Sequence, residues 1–272
     1  LRFSGPGAVA SAARSGDFVA FCGGHGLAKE GVPPFLARGL RVIDFSADFR
    51  IAGDHSAVYG LPERYRDRIA TAQLVANPGC YPTASLLGTL PLRHLTASPL
   101  QIVIDAKSGI TGAGRNPSLG SMFAEVDEDV RAYGMKGHRH EPEIAQELIV
   151  AGIEAPFVFT PQVVPLKRGM LACIYAAYAG APDAGLLRSA FEHDYASDPF
   201  VRVLPDGEVP SLPAVCGTND AEISVDVKGN VARIIVGIDN LGKGAAGQAV
   251  QNLNIMAGIA DGTGLEQREL AG

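Results

Sequence analysis

Three short apolar runs, each ending in glycines or a polar loop, set the architecture of the first part of this chain. "DFVAFCGGHGLAKEG" (17–31) reads as a buried strand, a Gly-rich turn and a helix start. "GLRVIDFSADFR" (39–50) repeats strand and polar loop, and "AQLVANPGC" (72–80) is a third strand, followed by a helix over 82–92. Short apolar strands alternating with helical segments predict a parallel α/β layer. In such sheets ligands gather at the C-terminal ends of the strands. From residue 98 onward the period changes. "LQIVIDAKSGITGAG", "APFVFTPQVVPLKRGMLACIYAAYAG" and "DAEISVDVKGNVARIIVGIDN" are long alternating runs, which predict a mixed or antiparallel sheet. Helices are expected at 141–151, 183–196 and 241–258.

Composition narrows the classes of partner. The chain has 272 residues, 47% hydrophobic and 19% charged, enough for one large domain or two medium ones. A net charge of −6 without a basic tract argues against nucleic acid. No apolar run has the length of a membrane span, and nothing resembles a signal peptide. The four cysteines form no C-x-x-C pair, so free thiols in a reducing, cytoplasmic setting are expected, with no metal centre. The chain lacks an initiator Met and opens on "LRFSGPGAVA", which reads as a fragment.

The residues with most chemical content begin at "NPGCYPTA" (77–84). A cysteine at a helix N-terminus has its thiolate favoured by free N–H groups and the macrodipole. Pro82 suits a first helical turn, and Gly79 permits close backbone approach. The same N–H groups lie within reach of an oxyanion formed at the sulfur. The competing reading of Cys80 is packing, because free cysteine is among the most buried residue types. For Cys22 and Cys173, inside apolar runs, core filling is the expectation. In "GHRHEPEIAQEL" (137–148), His138 and His140 fall on one face if the segment is extended. Either imidazole is a candidate to take a thiol proton and return it to a product oxygen. "DAKSGITGAGRNPS" (105–118) gathers Ser108, Gly109 and Arg115 in a loop suited to anions, or to a tight turn. Arg50, Lys167 and Arg168 are candidate anion ligands. "NLGKGAAGQAVQNLN" (240–254) reads as a Gly-rich turn feeding a small-residue helix that packs closely on another element or on a flat ligand.

Taken together and in order, "VIDFSADFR", "VYGLPE", "ANPGCYPTA", "DAKSGITGAGR", "GHRHEPEIAQEL", "FTPQVVPLKRGMLA" and "IDNLGKGAAGQAVQNLN" resemble the N-acetyl-gamma-glutamyl-phosphate reductase family. More remotely the layout is similar to aspartate-semialdehyde and phosphorylating glyceraldehyde dehydrogenases. The resemblance implies a Rossmann-type NADP-binding domain, incomplete at its N-terminus, and an α+β catalytic domain that also makes a homodimer or homotetramer. It places the first over 1–79, the second over 80–240, and a helix returning to the first over 241–272. It implies that Cys80 attacks an acyl phosphate to form a thioester, which NADPH reduces to the semialdehyde of arginine biosynthesis. His138 or His140 is the implied acid/base, with Arg50, Arg115, Lys167 and Arg168 on the substrate. Gly24, Ser46, Ser108, Gly109, Asn240 and Gly244 are implied on the cofactor. Two other readings compete: a reductase of carrier-linked aminoadipyl phosphate, and a Cys/His acyl-transfer protein without nicotinamide. The sequence departs from the family pattern at three places. The Gly-rich opening turn is absent, "IAGDHSA" is shorter than usual, and "CGGHG" (22–26) replaces a more usual "LPHG".

Overall fold

The computed structural model describes residues 12–53, 55–114 and 122–265. The chain divides into two compact units, Leu1–Pro78 with Gln248–Gly264, and Gly79–Gly247 with Leu265–Gly272.

The first unit is built on a four-stranded sheet of β1 (Phe18–Phe21), β2 (Arg41–Asp44), β3 (Val58–Tyr59) and β4 (Leu74–Ala76), in the order β1-β2-β4-β3. Every pair in it is parallel. β1, β2 and β4 are the three runs expected from the sequence. β3 is only two residues long, and the helix Pro62–Thr71 that follows it is largely polar and kinked at Tyr65. Neither carries a periodic signal, and neither was anticipated. The helix Gly247–Ala257 belongs to this unit from Gln248 onward. Gln248 and Asn252 both donate side-chain N–H bonds to the carbonyl of Gly60, at 2.8 and 2.9 Å. A side chain at Gly60 would collide with the Asn252 amide and with Val75, so only glycine lets the helix dock there.

The second unit is a seven-stranded mixed sheet of β5 (Gln101–Gly109), β6 (Arg131–Ala132), β7 (Phe157–Val164), β8 (Met170–Ala177), β9 (Val201–Val203), β10 (Ala221–Lys228) and β11 (Val231–Ile238). The order is β6-β7-β5-β8-β11-β10-β9, with β5–β7 and β9–β10 parallel and the other pairs antiparallel. The two-residue period divides each strand between two faces. Ile102, Ile104 and Ala106 of β5, Ile174 of β8 and Ile234 of β11 are fully buried on one face. The other face carries half-buried or exposed Val103, Asp105, Lys107, Tyr175, Arg233 and Ile235. Burying each large apolar side chain contributes about 1.5–3 kcal/mol.

The helices Cys80–Thr89, Glu141–Val150 and Ala184–Tyr195 supply apolar residues to the core formed by the covered face. The first of them is buried at every position from Tyr81 to Thr89, so it has no solvent face. An apolar helix of this kind must lie inside a core. It starts at Cys80, two residues before the expected start at Pro82. Its Gly88 sits against the sheet, where a Cβ would come within 2.3 Å of Ile174 Cδ1 and 2.9 Å of Val236 Cγ2. Replacing Gly88 by valine is expected to destabilise the protein by about 1–3 kcal/mol through overpacking. Urea unfolding checks this; an unchanged midpoint would show that the helix docks without this close approach.

Candidate active site

Cys80 is the first residue of its helix and is half-buried. The helix cap, Gly79, is extended (φ −74°, ψ 156°) and has no side chain with which to cap the helix. Its own N–H donates instead to Oε1 of Glu143, at 3.0 Å. Glu143 lies in the first turn of the helix Glu141–Val150 and is 1% exposed. A buried carboxylate thus ties the start of the Cys80 helix to the segment that carries both histidines. On another side, the turn Gly242–Ala246 packs onto the cysteine: a Cβ on Gly244 would stand 2.8 Å from Cys80 Cβ. Only glycine allows that approach.

That turn is anchored by a second buried carboxylate. Asp239 is fully buried and accepts backbone N–H bonds from Gly217 (2.6 Å) and Leu241 (2.8 Å). It also pairs with Arg168 at 2.6 Å. Asn240 accepts from Gly169 N–H (2.8 Å) and donates to Thr111 Oγ1 (3.0 Å), joining three loops of the second unit. Sequence reasoning passed over Glu143 and Asp239. The available signal was their position: an acidic residue in a first helical turn after Pro142, and one closing the last apolar strand.

His138 and His140 come together, but not as alternating residues of an extended segment. They lie in the irregular segment between β6 and the helix Glu141–Val150, with ring centroids 4.8 Å apart. The backbone N–H of His140 donates to Nδ1 of His138 at 3.2 Å, so the neutral His138 ring carries its proton on Nε2. Tyr81, next to Cys80, meets both rings, at 5.7 Å for His138 and 6.0 Å for His140. Its hydroxyl donates to the carbonyl of Gln162 at 2.8 Å. Burial and the charges of Tyr133 and Cys80 push the Tyr81 hydroxyl far above its ordinary range. Tyr133, pushed up mainly by burial, also feels the Cys80 charge and packs on His138 at 5.3 Å. The two histidines differ in access. His138 lines a cavity of about 500 Å³ with Ser108, Gly109, Tyr133 and Arg139, whereas His140 is 3% exposed. Burial, and then the charge of Arg139, lower His138 to about 4, so the ring is neutral at ordinary pH.

The remaining expected site residues divide between the units. Ser108 and Gly109 line the His138 cavity at the end of β5. Lys167 is exposed, and its carbonyl accepts from Thr111 Oγ1 at 2.7 Å. Arg168 is engaged by Asp239. Arg115 lies outside the described residues. In the first unit, Arg50 is buried and donates to the carbonyl of Phe45 at 2.9 Å. Ser46 donates its hydroxyl to the buried Asp44 at 2.7 Å and receives the N–H of Asp48. Gly24 is exposed in the turn after β1. The N–H groups opening the helix Ala28–Gly31 are not free for an anion: Asp48 accepts from Gly26 and Ala28 at 2.7 and 2.8 Å. Cys22 corrects an expectation. β1 ends at Phe21, which places Cys22 in the exposed turn beyond the strand rather than in the core. Cys173 is half-buried on the open sheet face.

Among the described residues no group of three His, Cys, Asp or Glu side chains is placed to hold a metal ion, and no helix is long and apolar enough to cross a membrane.

Residues 80–240 match the family model described as a semialdehyde dehydrogenase dimerisation domain, and residues 8–72 match the semialdehyde dehydrogenase NAD binding domain. The chain is 47% identical over 263 residues to the N-acetyl-gamma-glutamyl-phosphate reductase of Desulfotalea psychrophila, covering 89% of this chain and 76% of that protein. It is 45% identical, with the same coverage, to the protein of that name from Geobacter sp. strain M21. The crystal structure of aspartate semialdehyde dehydrogenase II from Vibrio cholerae aligns with a TM-score of 0.72 at 17% identity, over 89% of this chain and 79% of that one. That likeness shows the shared fold: a parallel α/β layer with an α+β partner.

The lowered His138 makes a prediction about stability. A ring that titrates near 4 when folded and near 6.5 when unfolded stabilises the native state fully above pH 6.5. That contribution is lost as the pH falls from 6.5 towards 4. The urea midpoint of the wild type is therefore expected to fall between pH 7 and pH 5 more steeply than that of His138→Gln. Parallel curves would show that His138 is not held neutral by the fold.

Proposed function

The chain belongs to the N-acetyl-gamma-glutamyl-phosphate reductase family, and from that premise we propose that it reduces N-acetyl-gamma-glutamyl phosphate to N-acetylglutamate 5-semialdehyde with NADPH, in arginine biosynthesis. The observation that carries this reading is Cys80 at the first residue of a buried helix, beside a tyrosine whose ring meets both histidines. In the proposed reaction the Cys80 thiolate attacks the acyl carbon, the bond to phosphate breaks with phosphate leaving as the anion, and a thioester forms. Hydride addition to the thioester carbon and departure of the thiolate release the aldehyde.

His138 is assigned to the acyl oxygen. Its Nε2–H donates to that oxygen as negative charge develops there, at acylation and again at reduction. A ring that stays neutral is a hydrogen-bond donor with its proton in place, rather than an imidazolium that gives its proton away. His140, buried and next to the Glu143 helix, is assigned to positioning His138 through its backbone N–H.

The first unit offers a fit to a nicotinamide. Gln248 Oε1 and Asn252 Oδ1 are buried acceptors without a donor among the described residues, and a carboxamide N–H₂ supplies the missing donor type. Gly24 and Gly244, with the loops shaped by Ser46, Ser108, Gly109 and Asn240, are the further residues assigned to the cofactor. When bound, NADPH supplies the hydride. Arg50, Lys167 and Arg168 are assigned to anionic groups of the substrate, Arg168 through the exposed edge that Asp239 leaves open.

The 1–79 segment and the returning C-terminal helix are assigned to cofactor binding, and 80–240 to catalysis and self-association. The open face of the seven-stranded sheet, with Val158 and Tyr175 exposed beside charged Asp105, Lys107 and Arg233, supports a homodimer or homotetramer built on that face. The proposed setting is cytoplasmic.

The full-length enzyme is expected to reduce NADP in the presence of N-acetylglutamate semialdehyde only when inorganic phosphate is added. Absence of that phosphate dependence would sink the reading. Cys80→Ser should abolish turnover, and normal activity would remove Cys80 as the nucleophile. Replacing His138 by asparagine should cost about 10²–10³-fold in kcat, the loss of one oxyanion donor, and replacing His140 clearly less; the reverse order would exchange their roles. Gly244→Ala, which presses on Cys80, should lower kcat by about 100-fold with little change in KM, as expected for a misplacement on the order of 1 Å.

A further inference from the structure

The cavity beside His138 has a one-sided charge. Arg131 and Arg139 both line it, and no carboxylate does among its described lining residues. Arg131 is already used: it pairs with Asp129 at 2.5 Å and donates to the carbonyl of Glu125. Arg139 has no carboxylate partner among the described residues, yet its charge acts on both His138 and Tyr133. The hydroxyl-bearing side chains of Ser108 and Tyr133 and the small residue Gly112 complete the part of the wall that matters here. A volume of about 500 Å³ lies within the usual range for a small-molecule site.

We infer that Arg139 receives the α-carboxylate of the substrate in this cavity, and so makes the enzyme specific for an amino-acid-derived acyl chain. The inference rests on the function proposed above. The substrate has two anionic ends, and they behave differently. The phosphate leaves when the thioester forms. The α-carboxylate stays attached through acylation and reduction, at a distance from the reacting carbon of about 5 Å, set by ordinary bond lengths. Binding energy from a group that does not react can position the carbon that does. The planar fork of an arginine suits a carboxylate in two-point contact. His138 forms one wall of the cavity and Cys80 lies close enough to act on Tyr133, another wall, so the cavity adjoins the reacting groups.

The test compares two aldehydes in the phosphate-dependent oxidation: N-acetylglutamate 5-semialdehyde and 4-acetamidobutanal, which is the same chain without the carboxylate. The wild type should favour the first. In Arg139→Gln, kcat/KM for the first should fall by about 10- to 100-fold, the loss of a charged hydrogen bond. The preference should collapse towards equality, while KM for inorganic phosphate is retained. Arg139→Lys should recover part of the preference. A preference kept in Arg139→Gln would overturn the inference. So would a rise in KM for phosphate in place of the aldehyde, which would make Arg139 a phosphate ligand. Calorimetric binding of N-acetylglutamate against 4-acetamidobutanoate needs no turnover and separates this inference from the proposed function. If the wild type oxidises neither aldehyde, the function fails. Arg139 is then still judged by whether Arg139→Gln loses the preference for N-acetylglutamate, and retention of that preference overturns it.

Discussion

The burial of one short helix governs the second unit. From Tyr81 to Thr89 every residue is inside, so the helix packs without a solvent face and takes its position from the sheet. Gly88 removes the Cβ that would hold it away from Ile174 and Val236. Cys80, as the first residue of that helix, inherits the precision of the packing. A reactive thiol on a mobile loop would lack it.

Two buried carboxylates then convert helix position into site geometry. Glu143 takes the N–H of Gly79, and Asp239 takes those of Gly217 and Leu241 together with Arg168. Each satisfies backbone groups that would otherwise be buried without partners, an arrangement whose disruption is costly. Each also ties together segments far apart in sequence, which no local propensity can do. The histidine pair follows the same logic. The bent segment brings the rings edge to face, the His140 backbone N–H orients His138, and burial with the nearby Arg139 keeps that ring neutral.

Much of the fold was legible because the apolar periods are clean. β1, β2 and β4 are short apolar runs closed by polar or glycine residues, and β5, β8, β10 and β11 alternate. The helices at Glu141–Val150, Ala184–Tyr195 and Gly247–Ala257 fall where they were expected. The misses share a cause. A two-residue strand cannot display a period, and the helix Pro62–Thr71 shows its polar face and a kink at Tyr65. Cys22 lies outside the core because the strand ends one residue earlier than its apolar run. The turn at His138 was misread as extended because Gly134 and Gly137, both at positive φ, bend the chain where the side-chain pattern still alternates.

By itself the sequence determined the longer strands and helices and their order, the family, and a cysteine at the start of a helix, because these depend on residue order and local period. Tertiary structure decided which histidine faces a cavity, which carboxylates are buried as anchors, and which arginines keep an open side. Arg131 and Arg168 look as available as Arg139 when read along the chain. Only folding brings Asp129 and Asp239 against the first two and leaves Arg139 lining a cavity without an acid among its described residues. Charge pairing depends on distances of a few ångströms between side chains, and the fold alone sets those distances.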